Sequence, residues 1–278
     1  MTVAEVVGAS AEFLARKGVP SPRIDAEHLV AKGLGVTRLD LYLQYDRLLT
    51  EDETAACREL VRRRGTREPL AYILGEWGFR GLALTVDRRA LIPRPETEVV
   101  VERCLALVDG VHAPRVLDVG TGTGAIALAI ADEQHDAEVT AIDVSRDALE
   151  LAAENVERTG LEGRVRLLRH DLADGLPGGP YDLVVSNPPY VDPVEIDALE
   201  PEVREWEPRE ALVGEGMAEA VSAGAARVLA RGGVLVLEVA DGAAERVAGL
   251  LSRLGFADVM STPDLAGRDR VVEGRWPR

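Results

Sequence analysis

The spacing of apolar positions divides this chain of 278 residues into three stretches. Over residues 1–75 apolar side chains recur every three or four positions between clear stop signals, which is the rhythm of short helices. Thr2 and Glu5 form a capping-box pair around Val3, ahead of Val6, Val7, Phe13 and Leu14, and Gly18 closes that helix. Pro22 stands where a second helix would begin, with Ile24, Leu29, Val30 and Leu34 as its apolar face. Thr37 opens a third through Leu39, Leu41, Tyr42 and Leu43, and Thr50 with Glu53 caps a fourth running to Arg64, closed by Gly65. A small helical bundle follows from this punctuation. Arg62, Arg63 and Arg64 end the last of these helices, where cations suit the helix dipole.

The period then drops to two. In residues 76–92, Trp77, Phe79, Leu82, Leu84 and Val86 alternate around glycines, a hairpin pattern that reads as a linker. A helix is expected from about Pro95 and Glu96. From residue 115 onward, short apolar runs alternate with helical stretches. Strands are expected at 115–119, 138–142, 165–168, 182–185, in "GGVLVLEVA", and near 256–261 and 268–275. Such alternation predicts an α/β fold: a Rossmann-like, mostly parallel sheet of seven strands with helices on both faces. The expected organisation is a helical bundle at 1–75, a β-hairpin linker at 76–92 and a catalytic domain at 93–278.

The net charge of −16 is unevenly placed. Residues 1–75 carry 11 Lys and Arg against 11 Asp and Glu, so the whole excess of acid lies beyond them. A surface that grips a nucleic-acid backbone is usually basic, so direct DNA binding is not expected. Cys57, Cys104 and the four histidines show no metal-ligand spacing, so no metal is expected, and two distant cysteines suit a reducing compartment. The first residues lack the basic start and apolar block of a signal peptide, and no run approaches the roughly 20 apolar residues of a membrane span. A cytoplasmic protein with no membrane association is expected, as a monomer.

"VLDVGTGTGAIALA" at 116–129 sets Gly120, Gly122 and Gly124 between the first strand of the sheet and the following helix. Glycines there let the backbone turn sharply and approach a ligand, with a helix N-terminus behind. Asp143 ends the next strand, where a carboxylate can take the two ribose hydroxyls of a nucleotide-like cofactor. The glycines are evenly spaced, and Asp118 stands immediately before the loop. A carboxylate there repels a pyrophosphate and attracts a sulfonium and an ammonium, which favours S-adenosylmethionine over a dinucleotide. Asp171, after the third strand with Leu172 beside it, is placed to accept from the adenine amino group or to serve as a turn residue.

"SNPPYV" at 186–191 follows the fourth strand of the sheet. Prolines end the strand, so Asn187 falls at the carboxyl edge where ligands of open α/β sheets bind. Methyl transfer to a planar –NH2 needs its nitrogen aimed at the methyl carbon and its two N–H bonds held aside. The Asn187 side-chain oxygen can accept one hydrogen and the Pro188 carbonyl, stiffened by the adjacent proline φ restrictions, the other. Tyr190 offers a flat face to a planar group.

These motifs, with "EPLAYILGEWGF" (68–79), "LIPRPETE" (91–98) and "EVREWEPREAL" (202–212), make the chain similar over nearly its whole length to the release factor N5-glutamine methyltransferases, S-adenosylmethionine-dependent class I enzymes. The resemblance implies methylation of the glutamine side-chain nitrogen in the Gly-Gly-Gln loop of peptide chain release factors, with S-adenosylhomocysteine as product and an effect on translation termination. It implies cofactor binding by Asp118, Gly120, Thr121, Gly122, Thr123, Gly124, Asp143, Asp171, Leu172 and Asn187. It implies that Asn187, Pro188, Pro189 and Tyr190 hold the target glutamine, that Arg94 and Pro95 close over it, and that the bundle recognises the substrate protein. One departure is Ala240, where a glycine is expected after the fifth strand. A ribosomal-protein glutamine and a nucleic-acid adenine remain alternative targets of the same tetrapeptide chemistry.

Overall fold

The computed structural model describes residues 1–277 as two compact units. The first comprises Met1–Glu76 and Leu199–Trp206, the second Trp77–Ala198 and Glu207–Arg278.

The first unit is helical: α1 (Val3–Arg16), α2 (Pro22–Leu34), α3 (Arg38–Leu43), α4 (Glu51–Gly65) and α5 (Leu70–Leu74). Capping boxes at Thr2/Glu5, Thr37/Asp40 and Thr50/Glu53 satisfy the first free N–H groups of three of them. Leu14, Leu29, Val30, Cys57 and Val61 meet in its core. A Cβ on Gly33 would stand 2.8 Å from Cys57 Sγ, so α2 and α4 approach closely only because that position is glycine. Two expectations change. Ile24, Leu39, Tyr42 and Leu43 are exposed by half or more, and within α3 only Leu41 is buried. Arg64 does not cap a helix in solvent: it is buried and bonds Asp25 at 2.7 Å and Glu202 at 2.8 Å. Glu202 lies on a helix numbered α9 below, Pro201–Trp206, and also takes two bonds from Arg67. These ion pairs tie residues 199–206 to the helical unit, although the sequence reading set them in the second domain.

The second unit begins with a hairpin, β1 (Glu76–Phe79) and β2 (Leu82–Thr85), then α6 (Thr97–Val108). The sheet strands are β3 (Arg115–Val119), β4 (Glu138–Asp143), β5 (Val165–Arg169), β6 (Tyr181–Ser186), β7 (Leu229–Glu238), β8 (Ala257–Pro263) and β9 (Asp269–Arg275). Between them run α7 (Ala125–Glu133), α8 (Arg146–Thr159), α10 (Arg209–Leu212), α11 (Met217–Val228) and α12 (Ala244–Leu254), with α9 of the helical unit falling between β6 and α10 in the sequence. The strand order is β5-β4-β3-β6-β7-β9-β8, parallel through β7, with β9 antiparallel to β7 and β8 antiparallel to β9. Side chains alternate between two cores as a pleated strand requires: Val116, Leu183, Val185, Val234 and Val236 face one, and Leu117, Val184, Leu235 and Leu237 the other. The order reverses beside β3, whose neighbours are β4 and β6, and this switch point opens a crevice at the carboxyl ends of the strands. Among the described residues no helix is long and apolar enough to cross a membrane.

Candidate active site

The crevice is a cavity of about 200 Å³, and the carboxyl ends of β3, β4 and β6 supply much of its wall. Gly120, Gly122 and Gly124 have φ of 75°, 55° and 85°, in the left-handed region that glycine tolerates, so the chain can turn from β3 into α7 without strain. The Gly120 and Thr121 N–H groups donate to Ile142 O, and Ser186 Oγ donates to Val119 O, fastening the loop to both neighbouring strands. A third fastening was not evident in the sequence. Fully buried Asn155, on α8, accepts from Thr85 N at 2.7 Å and donates to Thr85 O and to Thr123 O, joining the hairpin to the glycine loop.

Asp143 ends β4 and lines the cavity. Its two oxygens accept from Gly122 N and Ser145 N, each at 2.9 Å. Each oxygen keeps a further lone pair for a ligand hydroxyl. Burial raises the Asp143 pKa, and these backbone donors oppose the rise. Asp118 is different. It is fully buried, is absent from the cavity wall, and accepts from Thr121 Oγ1 at 2.6 Å through Oδ2, while Oδ1 has no hydrogen-bond partner. Burial pushes its pKa up to about 7, against the Thr121 bond, and Asp143 adds to the rise. Asp118 therefore sits beneath the loop, off the cavity wall and bonded to the wall residue Thr121.

Thr121, Thr123, Asp171 and Leu172 line the cavity, whereas Gly124 stands behind it, at the entry to α7. Asp171 also caps a short 3-10 turn by accepting from Ala173 N, so it is both a turn residue and a wall residue. His170 Nε2 lies 2.8 Å from Gly175 O, a loop contact. Glu210 adds a carboxylate to the wall that the sequence reading did not single out. The two arginines at the wall are already engaged: Arg89 with Asp87 and Glu154, Arg94 with buried Glu207 at 2.7 Å. Burial raises the Glu207 pKa, and Arg94 opposes it. Acids thus outweigh free cations around an otherwise apolar wall that includes Ala90, Ile92, Ile142 and Leu172. That combination fits a nucleoside-derived ligand that carries positive charge.

Asn187, Pro188 and Pro189 also line the cavity, facing the glycine loop across the switch point. Gly214 holds them in place by being small: a Cβ there would come within 2.8 Å of Pro189 Cβ and Pro189 O. Val191 N bonds Leu212 O, pinning the segment that follows. Tyr190 and Pro95 are not part of the wall; Tyr190 is 42% exposed. The Asn187 side-chain nitrogen lies 3.4 Å from Oγ1 of Thr97, another wall residue, and that hydroxyl donates to Glu238 Oε2 at 2.7 Å. Thr97 falls in the first turn of the helix expected from about Pro95 and Glu96, and nothing in the sequence marks it further. Glu238 carried a readable signal, a lone acid ending the apolar run of a central strand at the ligand edge.

Strand order, switch point and glycine loop are those of the class I methyltransferase fold; a methyltransferase from Pyrococcus furiosus shares it at a TM-score of 0.51 and 19% identity, covering 72% of this chain and 91% of that one. Residues 5–75 match the PrmC N-terminal domain family, and residues 97–202 the methyltransferase small domain family. The chain belongs to the release factor glutamine methyltransferases. It is 44% identical to the release factor glutamine methyltransferase of Geobacter sulfurreducens, over 99% of this chain and 96% of that protein. The protein of the same name from Chlorobaculum tepidum is 43% identical, over 97% and 95%.

Proposed function

We propose that this protein transfers a methyl group from S-adenosylmethionine to the side-chain amide nitrogen of the glutamine in the Gly-Gly-Gln loop of peptide chain release factors. The observation that carries the reading is Asn187, at the end of β6, lining the same cavity as Asp143 and the glycine loop. The near full-length likeness to relatives named for release factor glutamine supports the choice of substrate.

The cofactor, when bound, supplies a methyl carbon made electrophilic by its sulfonium. Asp143 would take the ribose hydroxyls, Asp171 and Leu172 would meet the adenine, and the acids of the wall together with buried Asp118 would favour the cationic end. Asn187 Oδ1 and the Pro188 carbonyl each accept one N–H of the substrate amide. The nitrogen lone pair then points at the methyl carbon, an N–C bond forms as the C–S bond breaks, and one amide proton leaves to solvent. No strong base is needed, because orientation of this kind is worth roughly 7–11 kcal/mol. Tyr190 and Arg94 border the route by which the glutamine enters. The helical unit recognises the release factor, and exposed Leu39, Tyr42 and Leu43, three and four positions apart on α3, give it an apolar helix face of the kind that protein partners cover.

Incubation of the protein with labelled S-adenosylmethionine and purified release factor, followed by peptide mapping, tests the reading. One methyl group on the loop glutamine is expected. Label on a ribosomal protein or on DNA, with none on that glutamine, contradicts it.

A further inference from the structure

Asn187 is bonded to a pair of residues that come from two other elements: Thr97, also on the cavity wall, opens α6 and Glu238 ends β7. Both are buried, with 5% and 1% of their surface exposed, so water does not compete for their bonds. A hydroxyl has one proton and two lone pairs, and an ionised carboxylate only accepts. The Thr97 proton goes to Glu238 at 2.7 Å, so Thr97 Oγ1 can only accept from Asn187. In an amide, only the nitrogen donates. The Asn187 oxygen is therefore turned away from Thr97 and left free to accept from a ligand in the cavity that both residues line. With the amide turned over, its oxygen would meet the Thr97 lone pairs and its –NH2 would confront the –NH2 of the substrate.

We propose that Thr97 and Glu238 are positioning residues, which fix the Asn187 amide with its oxygen toward the cavity so that it accepts from the substrate –NH2. The proposal rests on the methyl-transfer reading above and adds the device that sets the polarity of its acceptor. The relay requires ionised Glu238. Burial pushes its pKa up to about 7, while the Thr97 bond, Arg270 on β9 and Arg94 favour the charged form and Glu96 disfavours it; Tyr190 is the other titratable group facing it. A protonated Glu238 can donate to Thr97, which frees the Thr97 proton to attract the Asn187 oxygen and reverses the chain.

The test compares Thr97→Val, which keeps the shape and removes the hydroxyl, with Thr97→Ser, which keeps the hydroxyl. With release factor and S-adenosylmethionine, kcat of Thr97→Val is expected to fall 10- to 100-fold with both KM values within about threefold, and Thr97→Ser to stay within about threefold of wild type. In parallel, the 15N side-chain amide signals of Asn187, identified by their loss in Asn187→Ala, should show one slowly exchanging proton in wild type and Thr97→Ser, and none in Thr97→Val. Glu238→Met removes the acceptor at the far end and should lose the same protection, which covers the case of a poorly folded Thr97 variant. Unchanged amide signals in Thr97→Val and Glu238→Met would overturn the relay. A wild-type protein that leaves release factor unlabelled would instead overturn the methyl-transfer reading, with the amide signals still deciding the relay.

Discussion

The acids buried in the helical unit and three acids at the cavity of the sheet unit are treated in opposite ways, although Glu207, Asp264 and Glu273 elsewhere in the sheet unit do pair with Arg94, Arg270 and Arg103. In the helical unit each one is met by arginine: Asp25 by Arg64, Glu27 by Arg23 and Arg38, Glu68 by Arg63, and Glu202 by Arg64 and Arg67. Burial alone would raise the pKa of Glu27 and Glu202, but their arginine bonds outweigh it and the pKa values fall. Around the cavity of the sheet unit, Asp118, Asp143 and Glu238 have backbone or hydroxyl donors in place of a bonded cation, and burial raises all three. Paired acids hold a fold together. Acids kept without a bonded cation at a ligand edge leave their charge for a ligand, and stability is what they give up.

The largest break in this contrast is Arg64→Met. It strands Asp25 in the interior, leaves Glu202 with Arg67 alone, and is expected to cost about 3–5 kcal/mol, read as a lower urea midpoint by a probe in the helical unit. The converse is Asp118→Asn, which removes a penalised charge while keeping an acceptor for Thr121. It should raise stability at pH 8 by about 1–2 kcal/mol, taking each pKa unit as about 1.4 kcal/mol and allowing for relaxation, and should weaken cofactor binding in calorimetry. A loss of stability in that variant would mean that Asp118 is structural.

The pH dependence follows with opposite signs. Glu27 and Glu202 have lowered pKa values, so their contribution is complete above the ordinary carboxylate range and is lost as pH falls through it. Asp118 and Glu238 are raised to about 7, so the folded state binds more protons than the unfolded one between about pH 4 and 7, and their contribution declines as pH rises through that window. Urea melts at pH 5 and pH 8 should show wild type losing more stability on the upward step than Glu238→Gln. Activity moves the other way: kcat should fall as pH drops below about 7, and Glu238→Gln should flatten that limb. The smallest effect is expected from Leu43→Ser, which should change stability by less than about 0.5 kcal/mol while raising KM for release factor.

How much of this was legible in the sequence depended on distance along the chain. The sheet was readable because Val116, Leu117 and their counterparts alternate locally, and Asp143 and Asn187 because the strand ends locate them. The capping boxes at Thr2 and Thr50 and the helix start at Thr37 were readable for the same reason. Helical spacing could not show that Ile24 and Leu43 stay exposed, since periodicity reports a face and not what covers it. Membership of α9 in the helical unit was hidden because it rests on ion pairs between Glu202 and residues 64 and 67. Asn155 and Thr97 were hidden too, each an ordinary helix residue until folding brings a distant partner to it, whereas Glu238 was legible as a lone acid at a strand end but its partner was not.

The central claim is that Asn187 orients a substrate amide and does not merely end a strand. Single-turnover methylation of release factor by Asn187→Ala, measured beside its affinity for S-adenosylmethionine, tests it most directly. The account predicts a rate reduced by at least about 100-fold, in line with removal of a preorganised hydrogen-bonding group, with cofactor affinity within a few-fold of wild type. A near-normal rate at full cofactor occupancy would contradict it.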